Sequence, residues 1–172
     1  MKLKNLIAAA VIGAAYAAMT MLLAPISYNA LQFRLSEALC ILPYFFPPAA
    51  WGLYFGCVIA NLMSAAGLPD IVFGSLATLL AGLCTARLGQ RARAGADNLA
   101  SRLLACAMPV LFNGPIVGAV LAWAFMPGNF WLGAAVFGLQ VALGEAVVMF
   151  GVGLPLMQLL PNLRFVRKLY QP

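Results

Sequence analysis

Asn113, Gln140 and Glu145 each interrupt a long apolar run. A denser polar group fills Ser27–Glu37, where Ser27, Tyr28, Asn29, Gln32, Arg34, Ser36 and Glu37 take seven of eleven positions. The chain around them is 65% hydrophobic and 8% charged. An ionised side chain at the centre of a bilayer costs about 2.5–3.5 kcal/mol, so a deep carboxylate such as Glu145 is first read as a functional group. The chemistry these residues offer is hydrogen bonding: a carboxylate accepts, and the amides of Asn113 and Gln140 both donate and accept. Catalysis is not expected. There is no phosphate-cradling G-x-x-x-x-G-K-[ST] loop, no H-E-x-x-H, no serine–histidine pair and no carboxylate dyad expected on facing helices. Histidine is absent, and Cys40, Cys57, Cys84 and Cys106 form no C-x-x-C pair, so neither a metal nor another cofactor is expected.

The elements that must position these groups are membrane spans. A mean hydropathy of +0.98 over 172 residues makes the bilayer the solvent and the chain a single membrane-embedded domain, residues 1–172. The net charge of +6 does not point to nucleic acid, because the basic residues lie between apolar runs. Six transmembrane helices are expected in an all-α bundle, at residues 6–23, 36–47, 49–66, 71–88, 101–125 and 130–160. The first ends at Pro25 and is read as a span, not a cleaved leader, since more membrane sequence follows directly. The second is short. Residues 89–98 read as a basic linker, and Pro109 and Pro115 as interruptions of the fifth span.

Six spans put both termini on one side with the 89–98 linker. That side carries Lys2, Lys4, Arg87, Arg91, Arg93, Arg102, Arg164, Arg167 and Lys168, nine of ten basic residues, and only Arg34 lies opposite. The positive-inside rule makes it cytoplasmic. Tyr28, Asn29, Gln32, Arg34, Glu37, Asn61, Ser64 and Asp70 then form a polar ring on the outer side, the mouth of a pocket closed below. Arg34 and Glu37, three residues apart, could pair with each other. Asn113 stands thirteen residues before the Met126 turn and Glu145 fifteen after Phe130, which sets them at similar depth on neighbouring antiparallel helices. In the first span Ala10, Ala14 and Ala18 repeat at every fourth position, with Ala9, Gly13 and Ala17 beside them. Such a flat strip admits a close helix, either from the same bundle or from a partner protein.

Several blocks together resemble the QueT family: Ala24-Pro25-Ile26-Ser27-Tyr28, Leu31-Gln32-Phe33-Arg34-Leu35-Ser36-Glu37-Ala38-Leu39, Ala60-Asn61-Leu62, and Asp70-Ile71-Val72-Phe73-Gly74-Ser75-Leu76-Ala77-Thr78-Leu79. Members of that family are substrate-binding S components of energy-coupling factor (ECF) transporters, assigned to queuosine precursors. The resemblance implies a multi-pass cell-membrane subunit without ATPase activity of its own. Its partners would be a transmembrane coupling subunit, two cytoplasmic ATPases and a deazaguanine-type base arriving from outside. It assigns Ala10, Ala14 and Ala18 to docking on the coupling subunit. For such a base, Glu145 could accept the ring N–H and exocyclic amino group, and Asn113 could donate to the carbonyl, with Gln140 nearby. Tyr28, Phe33 and Phe73 could stack, Glu37 or Asp70 could balance a cationic arm, and Gln32, Arg34 and Asn61 line the same side. The alternative from a different class is a stand-alone proton-coupled carrier of a small polar or aromatic solute, against which the lack of a visible inverted repeat weighs.

The charge split generates a labelling pattern. In a cysteine-free background, single cysteines at Asn29 and Asn129 react with an impermeant reagent from outside, and one at Gly95 reacts only after permeabilisation. External labelling at Gly95 would invert the orientation.

Overall fold

A computed structural model describes residues 3–27 and 33–162. Among these residues the chain is helical throughout, without strands. Its six main segments are α1 (Leu3–Leu22), α2 (Leu35–Phe45), α3 (Ala49–Asn61), α4 (Asp70–Ala96), α5 (Leu99–Phe125) and α6 (Pro127–Leu159). Four of them, α1, α4, α5 and α6, are long and apolar enough to cross a membrane. The six expected spans therefore resolve into four long helices and two short ones. In α2, seven residues are 3-10 helix (Leu35–Ile41) and four are α-helix (Leu42–Phe45). At about 2 Å and 1.5 Å per residue they reach about 20 Å, short of a hydrocarbon core about 30 Å thick. The third span, expected to run to residue 66, stops at Asn61, and a tight connection carries the chain to Asp70.

Two further expectations are corrected. Residues 89–98 are not an extended linker: α4 continues through them to Ala96, because alanine and arginine are strong helix formers. It ends where Gly95 takes φ +105°, the left-handed conformation that terminates helices. Only Asp97 and Asn98 connect α4 to α5. A strain-free site for the cysteine expected to be shielded in the labelling experiment is thus the exposed Ala94. Likewise Pro109 and Pro115 lie inside a continuous α5, which starts at a reciprocal cap: the Asn98 side chain accepts from the Ser101 amide at 2.8 Å, and the Ser101 hydroxyl accepts from the Asn98 amide at 3.3 Å.

α2 is the central post, with Ser36, Glu37, Ala38, Cys40, Ile41, Pro43, Tyr44 and Phe45 all buried. Tyr16, Leu53, Cys57, Met149 and Met157 pack around it. Its C-terminal end is held from α4 and α5. Arg93 donates to the Tyr44 and Phe45 carbonyls at 3.3 and 3.1 Å, and the Tyr44 hydroxyl donates to Asp97 at 2.9 Å. Arg102 grips Asp97 with two bonds of 3.1 and 2.9 Å. That guanidinium, opposed by partial burial and aided by the Tyr44 hydroxyl, holds the Asp97 carboxyl below its usual range.

Large apolar side chains such as Ile7, Val11, Trp123, Trp131 and Leu139 remain exposed around the outside, as expected for a surface solvated by lipid. Two seams bring backbones together. Gly114 and Gly118 of α5 meet Ala134, Gly138 and Ala142 of α6, and Ala9 and Gly13 of α1 meet Gly52 and Gly56 of α3. A Cβ at Gly52 would stand 2.1 Å from the Ala9 carbonyl oxygen, which is backbone and cannot yield. Gly52→Ala should therefore separate α1 from α3 and lower stability by about 1–3 kcal/mol, the usual range for overpacking. A thermal unfolding midpoint equal to wild type in detergent would show that the seam is not tight.

Candidate functional site

The polar residues singled out from sequence gather in two neighbouring nests inside the bundle. Three of the chain's four acidic residues, Glu37, Asp70 and Glu145, are buried, at 1%, 0% and 3% exposure. Burial of this kind requires partners, because an unpaired polar group in an apolar interior costs several kcal/mol, of order 2–7.

The first nest is built on α1, α2, α5 and α6. Tyr16 and Thr20 stand one turn apart on the buried face of α1. Beyond Lys4 and Asn5 at its start α1 is otherwise apolar, and these two are aimed inward with Ala9 and Gly13. The Tyr16 hydroxyl donates to Glu37 Oε1, and the Cys40 thiol, one turn along α2, donates to Glu37 Oε2 at 2.9 Å. Thr20 and Ser36 hydroxyls bond each other at 2.6 Å, and Thr20 also donates to the Tyr16 carbonyl at 2.9 Å. From the opposite side Asn113 Nδ2 donates to Glu145 Oε1 at 3.0 Å. The Glu37 and Glu145 side chains are neighbours in this interior, and Arg34 lies within electrostatic reach of both.

The second nest surrounds Asp70 at the start of α4. Its Oδ2 accepts from Ser64 Oγ at 2.6 Å and faces the Arg34 guanidinium at 3.6 Å. Its backbone carbonyl accepts from Asn61 Nδ2 at 2.9 Å, and Asn61 also reaches the Cys57 sulfur, at 3.5 Å. Asp70–Gly74 forms a widened π-helical turn, and Gly74 leaves the space that the Asp70 and Asn61 side chains occupy.

The structure thus brings Arg34, Glu37, Asn61, Asp70, Asn113 and Glu145 into one polar interior. The depth match between Asn113 and Glu145 corresponds to a direct hydrogen bond. Three expectations change. Glu145 is not the only acid buried within a helix: Glu37, placed in the outer ring by the expected topology, is 1% exposed within α2. Asn113 does not have its amide N–H groups wholly free for a ligand carbonyl, since one serves Glu145; its buried Oδ1 has no partner among the described residues and is an acceptor. Phe73 is 51% exposed and stands outside the nests. With Pro69, Pro115, Ile116, Ala119 and Trp123 it lines an apolar groove of about 540 Å³ on the bundle's outer surface, because the π-helical turn rotates it away from Asp70.

Gln140 is half-buried, and its Oε1 has no partner among the described residues. Phe33 is half-buried beside Arg34. Tyr28 and Gln32 lie outside the described residues. Tyr16, Thr20, Ser36 and Cys40 were missed by the sequence reading. The pair Tyr16 and Thr20, four apart in an apolar helix, carried the available signal. Among the described residues, no group of three or more His, Cys, Asp or Glu is arranged to hold a metal ion.

The apolar helices long enough to cross a membrane and the buried hydrogen-bonding interior are those of a helical membrane protein. The sequence matches the QueT transporter family over residues 6–162, and the chain belongs to that family. Neither a curated protein nor a solved structure matches it.

Proposed function

We propose that this chain is the substrate-binding S component of an ECF-type importer and takes up a queuosine precursor, a deazaguanine-type base, from the outside. The observation that carries the reading is the buried Asn113–Glu145 pair in a member of the QueT family. A guanine-like edge presents a ring N–H and an exocyclic amino group side by side. Glu145 and the unpartnered Asn113 Oδ1 are acceptors of the kind this edge needs. Gln140 supplies a further amide, Phe33, Tyr28 and Gln32 belong to the outer approach, and Glu37 or Asp70 balances a cationic arm. Phe73 has no part in stacking.

In this reading the protein makes six passes, with α2 and α3 as short ones, and both termini are cytoplasmic. The basic ends of α4 and α5 are consistent with that orientation. Energy comes from a coupling subunit and two ATPases, which dock on α1. Ala10, Ala14 and Ala18 are all exposed, unlike Ala9, Gly13 and Ala17. Ala10 and Ala14 border a shallow groove of about 330 Å³ with Leu6, Trp51, Phe55 and Ile59. That is the surface a coupling helix would cover. The second reading, a stand-alone proton-coupled carrier, draws only on the presence of buried carboxyls, Glu37 and Glu145, within the bundle. Uptake into liposomes by the purified chain, driven by a pH gradient without ATPases, would favour it.

Glu145→Gln tests the ligand site. It replaces one acceptor oxygen with a donor and a charge-assisted bond with a neutral one, a loss of about 1.5–3 kcal/mol or roughly ten- to hundred-fold in affinity. Folding is retained, because a neutral amide is easier to bury than a carboxylate. An adenine-like analogue, with its donor pattern reversed, binds poorly to wild type. Calorimetry showing Glu145→Gln to bind a deazaguanine as tightly as wild type would remove Glu145 from base recognition.

Ala14→Leu tests docking. Ala14 faces away from the bundle, so the isolated variant should keep wild-type stability and ligand binding while uptake by the assembled transporter falls. Unchanged uptake would show that the coupling subunit docks elsewhere.

A further inference from the structure

Three oxygens of the Asp70 nest have no partner among the described residues: Asp70 Oδ1, Asn61 Oδ1 and Ser75 Oγ. Ser64 serves Asp70 Oδ2 at 2.6 Å, and the Arg34 guanidinium faces that same oxygen at 3.6 Å. Asn61 spends its amide N–H groups on the Asp70 carbonyl and the Cys57 sulfur. Asn61, Asp70 and Ser75 are each 0% exposed, so bulk water does not reach them. Buried oxygens of this kind are costly unless a donor completes them.

The three share one short stretch of structure. A Cβ at Gly74, the last residue of the π-helical turn, would collide with Asp70 Oδ1 and stand 3.0 Å from Asn61 Nδ2. Both side chains therefore converge on the bare Cα of Gly74, and Ser75 is the next residue. α5 packs against the same turn. Pro115 and Ile116, which follow Asn113 by two and three residues, line one groove with Pro69 and Phe73. The open oxygens around Gly74 thus neighbour the part of α5 that carries Asn113.

Charge complementarity favours a cation there. Three carboxyls, those of Glu37, Asp70 and Glu145, share this interior with one buried guanidinium, that of Arg34, among the described residues. Glu37 is the less suitable receiver, because each of its oxygens already takes a donor, from Tyr16 and from Cys40. Hard metal ions such as calcium and magnesium take six or more oxygens, at least twice what stands open around Gly74. A primary ammonium has three N–H donors and no acceptor, which matches three open acceptors in number and in kind.

We infer that Asn61, Asp70 and Ser75 form a subsite for a primary ammonium group, with one N–H directed to each open oxygen. The inference rests on the proposed deazaguanine reading for the molecule that carries the ammonium, and it assigns the cationic arm to Asp70 and not to Glu37. A ligand with its base at Asn113 and Glu145 extends that arm toward the first turn of α4. Donors, and not charge alone, are recognised, so a quaternary ammonium without N–H groups is not accepted.

The subsite is read without any base, from the thermal unfolding midpoint of the purified full chain in detergent. Methylammonium, tetramethylammonium and sodium chlorides are compared at equal concentration. Methylammonium should raise the wild-type midpoint above the other two, and the difference should vanish in Asp70→Asn and shrink in Ser75→Ala. Equal midpoints in methylammonium and tetramethylammonium would overturn the subsite, and a sodium effect as large as that of methylammonium would mark a metal-ion site instead. Ser75→Ala removes no hydrogen bond within the described residues, so it serves even if Asp70→Asn fails to fold.

The arm is read by calorimetry with an aminomethyl deazaguanine and its ethyl counterpart, in which a methyl group replaces the ammonium. Wild type should prefer the aminomethyl compound by roughly ten- to hundred-fold, the scale of a charge-assisted hydrogen bond. Asp70→Asn and Ser75→Ala should each reduce that ratio. Equal affinities in wild type, or a ratio unchanged in both variants, would overturn the assignment of the arm to Asp70. If neither compound binds, the deazaguanine reading fails, and the methylammonium comparison decides the subsite by itself.

Discussion

The Glu37 carboxyl is the group on which the packing of this bundle most depends. It is buried at the centre of an apolar protein, and neither water nor lipid can hydrogen-bond it there. Its two oxygens are met by Tyr16 from α1 and Cys40 from within α2, and the Glu145 carboxyl approaches from α6. Satisfying one side chain therefore ties three helices to a common point. Asn113 brings in α5 by bonding Glu145, and Arg34 with Asp70 brings in α4. α2 is shorter than a hydrocarbon core is thick, and its position is set by these contacts and by the Arg93, Asp97 and Arg102 group at its far end. Hydrophobic burial alone would leave a short helix free to slide or rotate. Directional bonds at both ends do not.

Close backbone approach makes the polar centre possible. A donor on one helix reaches an acceptor on another only if the axes are near, and the glycines of the α1–α3 and α5–α6 seams remove the side chains that would hold them apart. The same economy of side chains leaves α1 with two different small-residue faces. One, with Ala9 and Gly13, is used up inside the bundle. The other, with Ala10, Ala14 and Ala18, is exposed. A helix that packs inward through glycine and presents alanine outward can bind a second helix without changing its own position.

Both polar nests combine internal bonds with open acceptors. Around Asp70 the bonds are made by Ser64, Asn61 and the approach of Arg34, and they hold the connection before α4 and its widened first turn. Asn61 Oδ1 and Asp70 Oδ1 in that nest, and Asn113 Oδ1 and Gln140 Oε1 on α5 and α6, are buried without partners among the described residues. Buried acceptors of this kind are tolerated where a ligand or water completes them.

Much of the architecture was legible in the sequence because it follows from one-dimensional constraints. Apolar run length, proline and glycine breaks and the distribution of Lys and Arg are properties of the chain read residue by residue. So was the match in depth between Asn113 and Glu145, since helical rise from a shared turn is a count. The ends of α2 and α3 were less legible, because a 3-10 segment and an early stop leave no period in a sequence that is apolar on every side. Glu37 could not be read as buried: its sequence neighbours Arg34 and Ser36 suggest a surface, and its partners Tyr16 and Glu145 are distant in the chain. Phe73 failed for the complementary reason, since a π-helical turn changes the angle between consecutive side chains and turned it away from Asp70. The sequence by itself determined that the chain is a helical membrane protein, which ends of its helices are basic and that Asn113 and Glu145 share a depth. Only the tertiary structure decided which of those groups meet, because azimuth around each helix is set by packing between helices, and no count along the chain contains it.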